Sequence, residues 1–320
     1  MNMNILHLIG FALLFNITVA TGATTIRLGV LASGTLAWEL AAMKNEGLLE
    51  NNDFLLDTVA VANQQAGKVA LQAGSVDMIV SDWIWTSDMR AKGSDYTFYP
   101  YSASAGGLIV PADSAIKNLA DLKGKKLGIA GGELDKNWAL LKALGQKQQL
   151  DLNKSVEKVY GAPPLLNQQM TSRRIDALLT YWHFAANLEA QGYKQLMSGE
   201  DIIRELGIQE AVPSIGYVFK QSWADQHKEA LQQFFKAART AKDKLCDSDQ
   251  AWEKIINLTG TDDPTTQKQL RKRYCQGRVI SWGEAEQQAA AKIYQVLHLS
   301  DNKLNGKSKQ LQAGTFWSEN

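Results

Sequence analysis

Residue types that build reactive centres are scarce in this chain of 320 residues, which has two cysteines and four histidines. It contains no His-Glu-x-x-His or Cys-x-x-Cys spacing that would bring metal ligands together. The Gly-x-Ser-x-Gly turn that presents a serine nucleophile is missing, and so is the Gly-x-x-x-x-Gly-Lys loop that holds nucleotide phosphates. The sequence therefore predicts a protein that is not an enzyme and uses no cofactor or metal.

An excess of charge of one sign is missing as well, since 34 basic residues stand against 33 acidic ones. Proteins that bind nucleic acid carry a strongly basic surface, so we expect no nucleic-acid partner. Beyond residue 23 the chain also lacks an apolar run long enough to cross a bilayer.

Charged residues are absent from residues 1 to 23, where Ile5 to Val19 is largely apolar and is followed by a run of small residues. This pattern is typical of a secretory signal peptide, although no basic residue precedes the apolar stretch. The stretch is short for a membrane span, and no cysteine near the cleavage region would carry a lipid anchor. We expect residues 1–23 to be a signal peptide and the mature protein to be exported and soluble.

Along the rest of the chain, apolar strand-like runs alternate with helical stretches, which is typical of parallel α/β lobes. About 300 residues are more than one core usually serves, so we expect two lobes. The predicted strands are 26–31, 55–61, 78–80, 127–130, 156–159 and 177–180, and the predicted helices are 36–46, 65–72, 85–91, 133–146, 164–172 and 183–191.

Two segments predict the connections between the lobes. Residues 99–110 contain a core of small residues that lets the backbone pass close to a ligand or between lobes. In residues 211–218, Pro and Gly bracket a short apolar strand. We therefore assign residues 24–107 and 214–320 to lobe 1 and residues 108–213 to lobe 2, and we expect the helical part from Ser222 onward to pack on lobe 1. A hinge of two strands permits closure around a solute.

Four segments carry a resemblance to a known family: IRLGVLASG at 26–34, LQAGSVDMIVSDW at 71–83, NLADLKGKKLGIAGG at 118–132 and MTSRRIDALLTYW at 170–182. They resemble the periplasmic solute-binding proteins of ABC importers, in the class that takes up nitrate, sulfonates, taurine and thiamine pyrimidines. The resemblance implies a two-lobed α/β fold of the type 2 periplasmic binding protein kind, with two crossover strands and a helical C-terminal part. It also implies a monomeric periplasmic protein that delivers a small-molecule solute to a membrane permease.

The loops beyond the carboxyl ends of the strands form the predicted ligand site, because ligands bind there in open α/β sheets. Their hydroxyl, amide and backbone donors can hold oxygens, and their aromatic rings can enclose an apolar or ring-shaped body. Paired glycines let free N–H groups of the helix that begins near Leu134 face a ligand. The predicted ligand-binding residues are Ser33, Gly34, Thr35, Trp38, Asn63, Gln64, Ser81, Asp82, Trp83, Ser104, Gly131, Gly132, Asp135, Pro163, Leu165, Tyr181, Trp182, His183 and Tyr217.

Each of these residues also has a purely structural interpretation. A tryptophan after a strand can pack at the edge of a lobe, and His183 can be a structural histidine. Asp82 can cap the helix that follows it, as Ser33 and Thr35 can cap theirs. The two cysteines, Cys246 and Cys275, either pair in an oxidising compartment or remain as two free buried thiols.

The aromatic residues and Asp82 favour a small organic solute over a bare inorganic anion. Within the class that the chain resembles, this means an organosulfonate of the taurine kind or a heteroaromatic such as an aminopyrimidine. Two other functions stay open: an exported partner of another protein built on the same fold, and an enzyme similar to the fungal thiamine-pyrimidine synthases, which use a histidine and a cysteine cluster.

Overall fold

The computed structural model describes residues 23–31, 34–300 and 308–318 of the chain. These residues form two five-stranded sheets. The strands are β1 (Thr24–Leu31), β2 (Phe54–Val61), β3 (Met78–Ser81), β4 (Tyr96–Ser102), β5 (Gly107–Val110), β6 (Lys126–Ala130), β7 (Glu157–Gly161), β8 (Ala177–Thr180), β9 (Lys194–Ser198) and β10 (Ile215–Lys220).

Helices cover the sheets and fill the C-terminal part. They are α1 (Thr35–Asn45), α2 (Gln64–Ala73), α3 (Trp83–Ala91), α4 (Lys136–Lys147), α5 (Leu152–Ser155), α6 (Pro163–Thr171), α7 (Trp182–Ala190), α8 (Gly199–Glu205), α9 (Gln221–Gln226), α10 (Lys228–Asp247), α11 (Asp249–Glu253), α12 (Pro264–Gln276) and α13 (Glu284–Ser300). Short 3-10 turns occupy Leu119–Leu122 and Ile256–Thr259.

The two sheets share one topology. The first has the strand order β2-β1-β3-β10-β4 and the second the order β7-β6-β8-β5-β9. In the first sheet β1 runs parallel to β2 and β3, and β10 runs antiparallel to β3 and β4. In the second, β6 runs parallel to β7 and β8, and β5 runs antiparallel to β8 and β9. In both sheets, the strand that enters from the other lobe is the one that runs antiparallel to both of its neighbours.

The chain crosses between the sheets twice, once from β4 to β5 and once from α8 to β10. The first crossing brings the backbone very close to its neighbour, because a Cβ atom on Gly106 would lie 2.2 Å from the carbonyl oxygen of Thr180. Small residues are therefore required here, as the sequence indicated. Residues 99–110 contain this crossing, as predicted, and consist of the end of β4, a short link and all of β5.

Every predicted strand and helix is present, with ends that shift by three residues or fewer. The sequence patterns did not indicate β9, α5 or α8. Strand β9 lies at the edge of the second sheet, and four of its five residues are only half-buried. Such a strand lacks the continuous apolar run that marked the central strands, whose two faces are both covered by helices.

Helix α10 of the C-terminal part packs on α1 of lobe 1, as expected, whereas α12 and α13 contact both lobes. Helix α12 packs on α7, and α13 packs on α4; both of those helices follow strands of the second sheet. Glu189 on α7 accepts hydrogen bonds from Arg273 Nε at 2.8 Å and from Gln269 Nε2 at 2.7 Å, both on α12. Helix α13 buries Ile293 and Leu297 in a core that both lobes share. The lobes are therefore joined by helix packing as well as by the two crossings.

Residues 308–318 cover the outer edge of the first sheet. The Phe98 N–H donates to the carbonyl oxygen of Thr315 at 2.8 Å, and the Trp317 N–H donates to the carbonyl oxygen of Phe98 at 2.9 Å. Trp317 is buried and its ring packs 5.6 Å from that of Phe235. An uncovered edge strand invites pairing with other chains, so these contacts protect β4.

Cys246 at the end of α10 and Cys275 in α12 form a disulfide, with Cα atoms 5.6 Å apart. Of the two alternatives, a disulfide or two free buried thiols, the structure contains the disulfide. No helix in the described part of the chain combines the length and the apolar content that a membrane crossing needs. Residues 1–22, most of the predicted signal peptide, lie outside the described residues.

Candidate functional site

The candidate site lies where the carboxyl ends of the two sheets face each other. Helix α1 follows β1 of the first sheet, and α7 follows β8 of the second. Their first turns meet, because the ring of Trp38 stands edge-on to the ring of Trp182 with centroids 6.4 Å apart. Two predicted site residues from different lobes are thus in contact, although Trp38 is buried and donates from Nε1 to the carbonyl oxygen of Leu258 at 2.9 Å.

Helices α1 and α7 both begin without a side-chain cap. Their N-cap residues are Gly34, which has no side chain, and Tyr181, whose side chain accepts no hydrogen bond from the first turn. The backbone N–H groups of a first turn have no partner within the helix, and the helix dipole places partial positive charge there. Two such turns that face each other form a site suited to an anion.

The other helices around the cleft begin with a side-chain cap or with proline. Asn63, Asp82 and Asp135 cap α2, α3 and α4 by accepting backbone N–H groups. Helix α6 begins with Pro163, followed by a second proline, and proline has no N–H to offer a ligand. Among the helices that the structure describes at this cleft, α1 and α7 are the two that begin with neither a side-chain cap nor a proline.

Beneath α1 lies a buried polar cluster that the sequence analysis missed. Thr35 Oγ1 is 3.1 Å from the hydroxyl of Tyr101, at the end of β4. One helical turn further on, Glu39 is fully buried; its Oε1 accepts a hydrogen bond from Tyr274 at 2.7 Å and lies 3.3 Å from Lys242 Nζ. Burial raises the pKa of Glu39, and the Lys242 ammonium offsets only part of that effect. The first turn of α1 is therefore held in place by buried hydrogen bonds and an ion pair.

At another corner of the cleft, Asp82 is the centre of an ion pair that joins the lobes. Its Oδ1 lies 2.6 Å from Nζ of Lys136, the first residue of α4, and its Oδ2 lies 3.8 Å from Nζ of Lys68 on α2. Burial acts to raise the pKa of Asp82, but the two ammonium groups and the Trp85 N–H bring it below its usual value. Two lysines against one carboxylate leave this corner with net positive charge.

Asp135 and Tyr181 come together at the paired glycines. Gly131 and Gly132 both have φ of 85°, which favours glycine. A Cβ atom on Gly131 would lie 2.5 Å from the Tyr181 hydroxyl and 2.9 Å from Asp135 Oδ2, whereas one on Gly132 would meet nothing within 4 Å. Burial raises the pKa of Asp135 to about 6, and burial together with the charge of Asp135 raises that of Tyr181. The glycines thus admit both side chains to one turn, and Gly132 borders open space.

Trp182 and His183 form an aromatic wall in the first turn of α7. The His183 ring lies 5.5 Å from that of Trp182 and 4.4 Å from that of Phe184. Burial lowers the pKa of His183 to about 4, so the imidazole is neutral at pH 7. The wall therefore offers ring faces to a solute without adding charge.

The contacts of several predicted site residues indicate roles other than ligand binding. Trp83 is buried, donates from Nε1 to the carbonyl oxygen of Pro213 at 3.0 Å and packs 6.5 Å from the ring of Tyr294. That placement favours a packing role for Trp83. The lysine and N–H partners of Asp82 favour a role as helix cap and ion-pair partner, rather than as the partner of an amine on the ligand. Ser81 is buried, as is the hydroxyl of Ser104, whereas Gln64 and Leu165 are exposed and Ser33 lies outside the described residues.

The sequence patterns did not indicate four residues that lie at or beneath the candidate site: Lys68, Lys136, Tyr101 and Glu39. Lys136 stands directly after the predicted residue Asp135 and opens the helix that follows the glycines, so its position was a usable signal. Lys68 and Glu39 gave none, because charged residues on amphipathic helices are usually exposed. Among the described residues, no group of three or more His, Cys, Asp or Glu side chains is placed to hold a metal ion.

A family model described as NMT1/THI5 like matches residues 40–251. The chain belongs to this family. Comparison with curated proteins gives no match.

Solved structures share the fold of this NMT1/THI5-like chain. The alkanesulfonate-binding protein SsuA from Xanthomonas axonopodis pv. citri, bound to MOPS, is 20% identical, with a TM-score of 0.70 over 93% of this chain and 99% of that one. The periplasmic aliphatic sulphonate binding protein SsuA from Escherichia coli is 19% identical, with a TM-score of 0.73 over 92% of each chain. The periplasmic nitrate-binding protein NrtA from Synechocystis PCC 6803 is 15% identical, with a TM-score of 0.53 over 79% of this chain and 70% of that one. These likenesses confirm the predicted two-lobed periplasmic-binding-protein fold.

Proposed function

We propose that the chain is the exported solute-binding component of an ABC importer and captures a small organic anion in the cleft between its lobes. The observation that carries the proposal is the pair of uncapped helix starts, α1 and α7, which meet at Trp38 and Trp182. Family membership and the likeness to proteins named for sulfonate and nitrate binding support it. In this proposal residues 1–23 direct export to the periplasm, and the mature monomer delivers its solute to a membrane permease.

An organosulfonate suits this cleft better than nitrate does. Three sulfonate oxygens can accept the first-turn N–H groups of two helices, and the net positive corner at Lys68 and Lys136 adds attraction. The neutral ring of His183 and the indole of Trp182 provide an apolar wall for the organic part. A bare inorganic anion would leave those rings without a partner.

A taurine-like solute also carries an ammonium group, and Asp135 is its best acidic partner. Asp82 already faces two lysines, whereas burial raises the pKa of Asp135 to about 6. An ammonium group beside Asp135 would favour the carboxylate form, so binding of such a solute would be weaker at pH 5 than at pH 7.

Isothermal titration calorimetry with taurine, ethanesulfonate, nitrate and an aminopyrimidine tests the proposal. We expect the sulfonates to bind more tightly than nitrate, and Trp182→Ala to weaken their binding by about 1 to 3 kcal/mol. Trp223→Ala, a half-buried tryptophan on α9, is the matched control and should leave the affinity unchanged. Absence of heat with every solute, or tight binding of nitrate that Trp182→Ala leaves unaffected, would remove the support for an organic-anion receptor.

A second candidate function is an exported partner of another protein. It is favoured by the packing of α12 on α7 and of α13 on α4, which ties the lobes together without a ligand. Small-angle scattering separates the two: a receptor becomes more compact when taurine is added, whereas a braced partner protein does not change. The enzyme alternative loses support, because both cysteines are joined in the disulfide.

A further inference from the structure

The last turn of helix α12 contacts both of the helices that begin at the candidate solute site. Tyr274 donates a hydrogen bond to the buried Glu39 of α1 at 2.7 Å. Its neighbour Arg273 donates from Nε to Glu189 of α7 at 2.8 Å. Helices α1 and α7 are the two with uncapped first turns at the cleft. Two consecutive residues of α12 therefore hold the two helices on which the proposed site depends.

The end of α12 also contacts the first crossing between the two sheets. The carbonyl oxygen of Gly277, the C-cap residue of α12, accepts the Ala103 N–H at 3.0 Å and the Ser102 hydroxyl at 3.4 Å. The two backbones pack so closely that a Cβ atom on Gly277 would lie 2.8 Å from the Cβ atom of Ser104. Lobes move relative to each other by bending at a few residues of this kind. The placement of α12 therefore bears on the hinge as well as on the two helices.

The disulfide fixes this turn of α12 to the rest of the C-terminal part. Cys275 directly follows Tyr274 and is bonded to Cys246 near the end of α10. The bond closes a loop over residues 246–275, which also contains Leu258. The carbonyl oxygen of Leu258 accepts the indole N–H of Trp38, on α1, at 2.9 Å. Contacts to site helices of both lobes thus come from one segment that the disulfide closes.

The surroundings of the disulfide allow it to open without loss of the fold. Both cysteines are only half-buried, so a thiol can approach them from solvent. Arg271 on α12 donates to the carbonyl oxygens of Leu245 and Cys246, both at 3.0 Å. These hydrogen bonds do not depend on the disulfide and keep α12 on α10 after reduction. Reduction therefore loosens the last turn of α12 without releasing the helix.

We propose that the Cys246–Cys275 disulfide controls the affinity of the cleft for its solute, because it fixes the turn of α12 whose Arg273 and Tyr274 position α7 and α1. This inference rests on the proposed solute-binding function. The oxidised protein binds solute tightly, and the reduced protein binds it more weakly.

The reductant is a dithiol, which opens the bond in two exchange steps. Its first thiolate attacks one sulfur, forms a mixed disulfide and releases the other cysteine as a thiolate. Its second thiolate then displaces the remaining cysteine, and the dithiol closes into its own disulfide. Two electrons pass to the protein, and each cysteine takes up one proton.

The test is calorimetric titration of the full chain with taurine and with ethanesulfonate, before and after reduction with dithiothreitol. We expect reduction to weaken binding at least about 5-fold, the lower end of the usual coupling between two sites, and reoxidation to restore it. The double variant Cys246→Ser with Cys275→Ser should bind like the reduced protein and should not respond to dithiothreitol.

Single variants test the positioning role of Arg273. Arg273→Ala should weaken binding in the oxidised protein, and Arg273→Lys, which keeps a cation for Glu189, should recover part of the loss. Lys272→Ala, an exposed residue of the same turn, is the matched control and should leave the affinity unchanged. A merely structural role would lower the melting temperature of Arg273→Ala without changing the affinity of the folded protein.

A second measurement needs neither a variant nor a solute. Reduction of the unaltered protein should shift the NMR signal of the Trp38 indole N–H and speed its hydrogen exchange, because Leu258 lies in the closed segment. The indole signal of Trp223 on α9 should not change.

Each other outcome overturns the inference in a recognisable way. Equal affinity in both redox states, or an unchanged Trp38 signal, overturns this inference and leaves the proposed function in place. Absence of binding to the oxidised protein overturns both. A reduced protein that loses its helical circular-dichroism signal shows that the disulfide supports the whole fold, and this overturns the local effect proposed here.

Discussion

Lys242→Met tests whether the buried cluster under α1 is held together by charge. Lys242 and Glu39 are exposed by only 9% and 0% of their side-chain surface, and their charged atoms lie 3.3 Å apart. Removal of one partner from a buried pair costs about 3 to 5 kcal/mol, because the other charge stays buried without compensation. We expect a loss of that size in the free energy of unfolding at pH 7, measured by urea denaturation.

The pH dependence of this loss distinguishes charge from packing. Burial raises the pKa of Glu39 in the folded state, and Lys242 opposes that rise, so the variant should have a still higher pKa. A group with a raised folded pKa binds more protons when folded, and its contribution to stability is lost as the pH rises through that pKa. The Lys242→Met variant should therefore be closest to the unaltered protein near pH 5 and furthest from it near pH 8.

Two control variants complete the experiment. Lys236→Met changes an exposed lysine of the same helix and should alter stability by less than about 0.5 kcal/mol. The double variant Glu39→Gln with Lys242→Met removes both charges and should recover most of the loss. A single-variant loss below about 1 kcal/mol that does not vary with pH would refute the argument that Lys242 compensates a buried carboxylate.

Three further predictions concern other parts of the molecule. Replacement of Cys246 and Cys275 by serine should lower the free energy of unfolding by about 3 to 4 kcal/mol in the chain-entropy model, and reductant should reproduce that loss in the unaltered protein by denaturation. Because burial raises the pKa of Asp135 to about 6, its contribution to stability is lost as the pH rises through that value; Asp135→Asn, which keeps a capping side chain, should flatten the dependence of the melting temperature on pH between 4 and 7. Gly131→Ala should destabilise the protein more than Gly132→Ala, because both force an L-residue to φ of 85° but only the first adds steric contacts; equal losses in thermal melts would contradict the crowding argument.

The architecture could be predicted from sequence because its signals are local. Apolar runs such as that of β6 alternate with residues that begin helices. The glycines after β6 indicate a turn whatever the rest of the chain does. The loops of the candidate site could be chosen from the sequence for the same reason, since Tyr181 and Trp182 directly follow β8 and Asp135 lies between β6 and α4.

The partners of these residues could not be predicted, because they depend on contacts between distant parts of the chain. Glu39 looks like a solvent-exposed residue of α1 until Lys242 and Tyr274, from α10 and α12, close over it. Asp82 looks like a capping residue with a free charge until Lys136 reaches it from the other lobe. The packing partners of α12 and α13 could not be predicted either. The periodicity of a helix shows which of its faces is apolar, but it does not show which other element covers that face.

The way the first sheet is assembled has a consequence for the order in which the chain folds. All five strands of the second sheet come from residues 107–198, so that sheet can form as soon as this continuous stretch has been synthesised. The first sheet must wait for β10 at residues 215–220, and its outer edge stays open until Thr315 and Trp317 reach Phe98. Long-range pairings of this kind form slowly and leave strand edges exposed meanwhile. The sheet encoded in the middle of the chain is therefore the first that can be complete, and the sheet that contains the first strand is completed last.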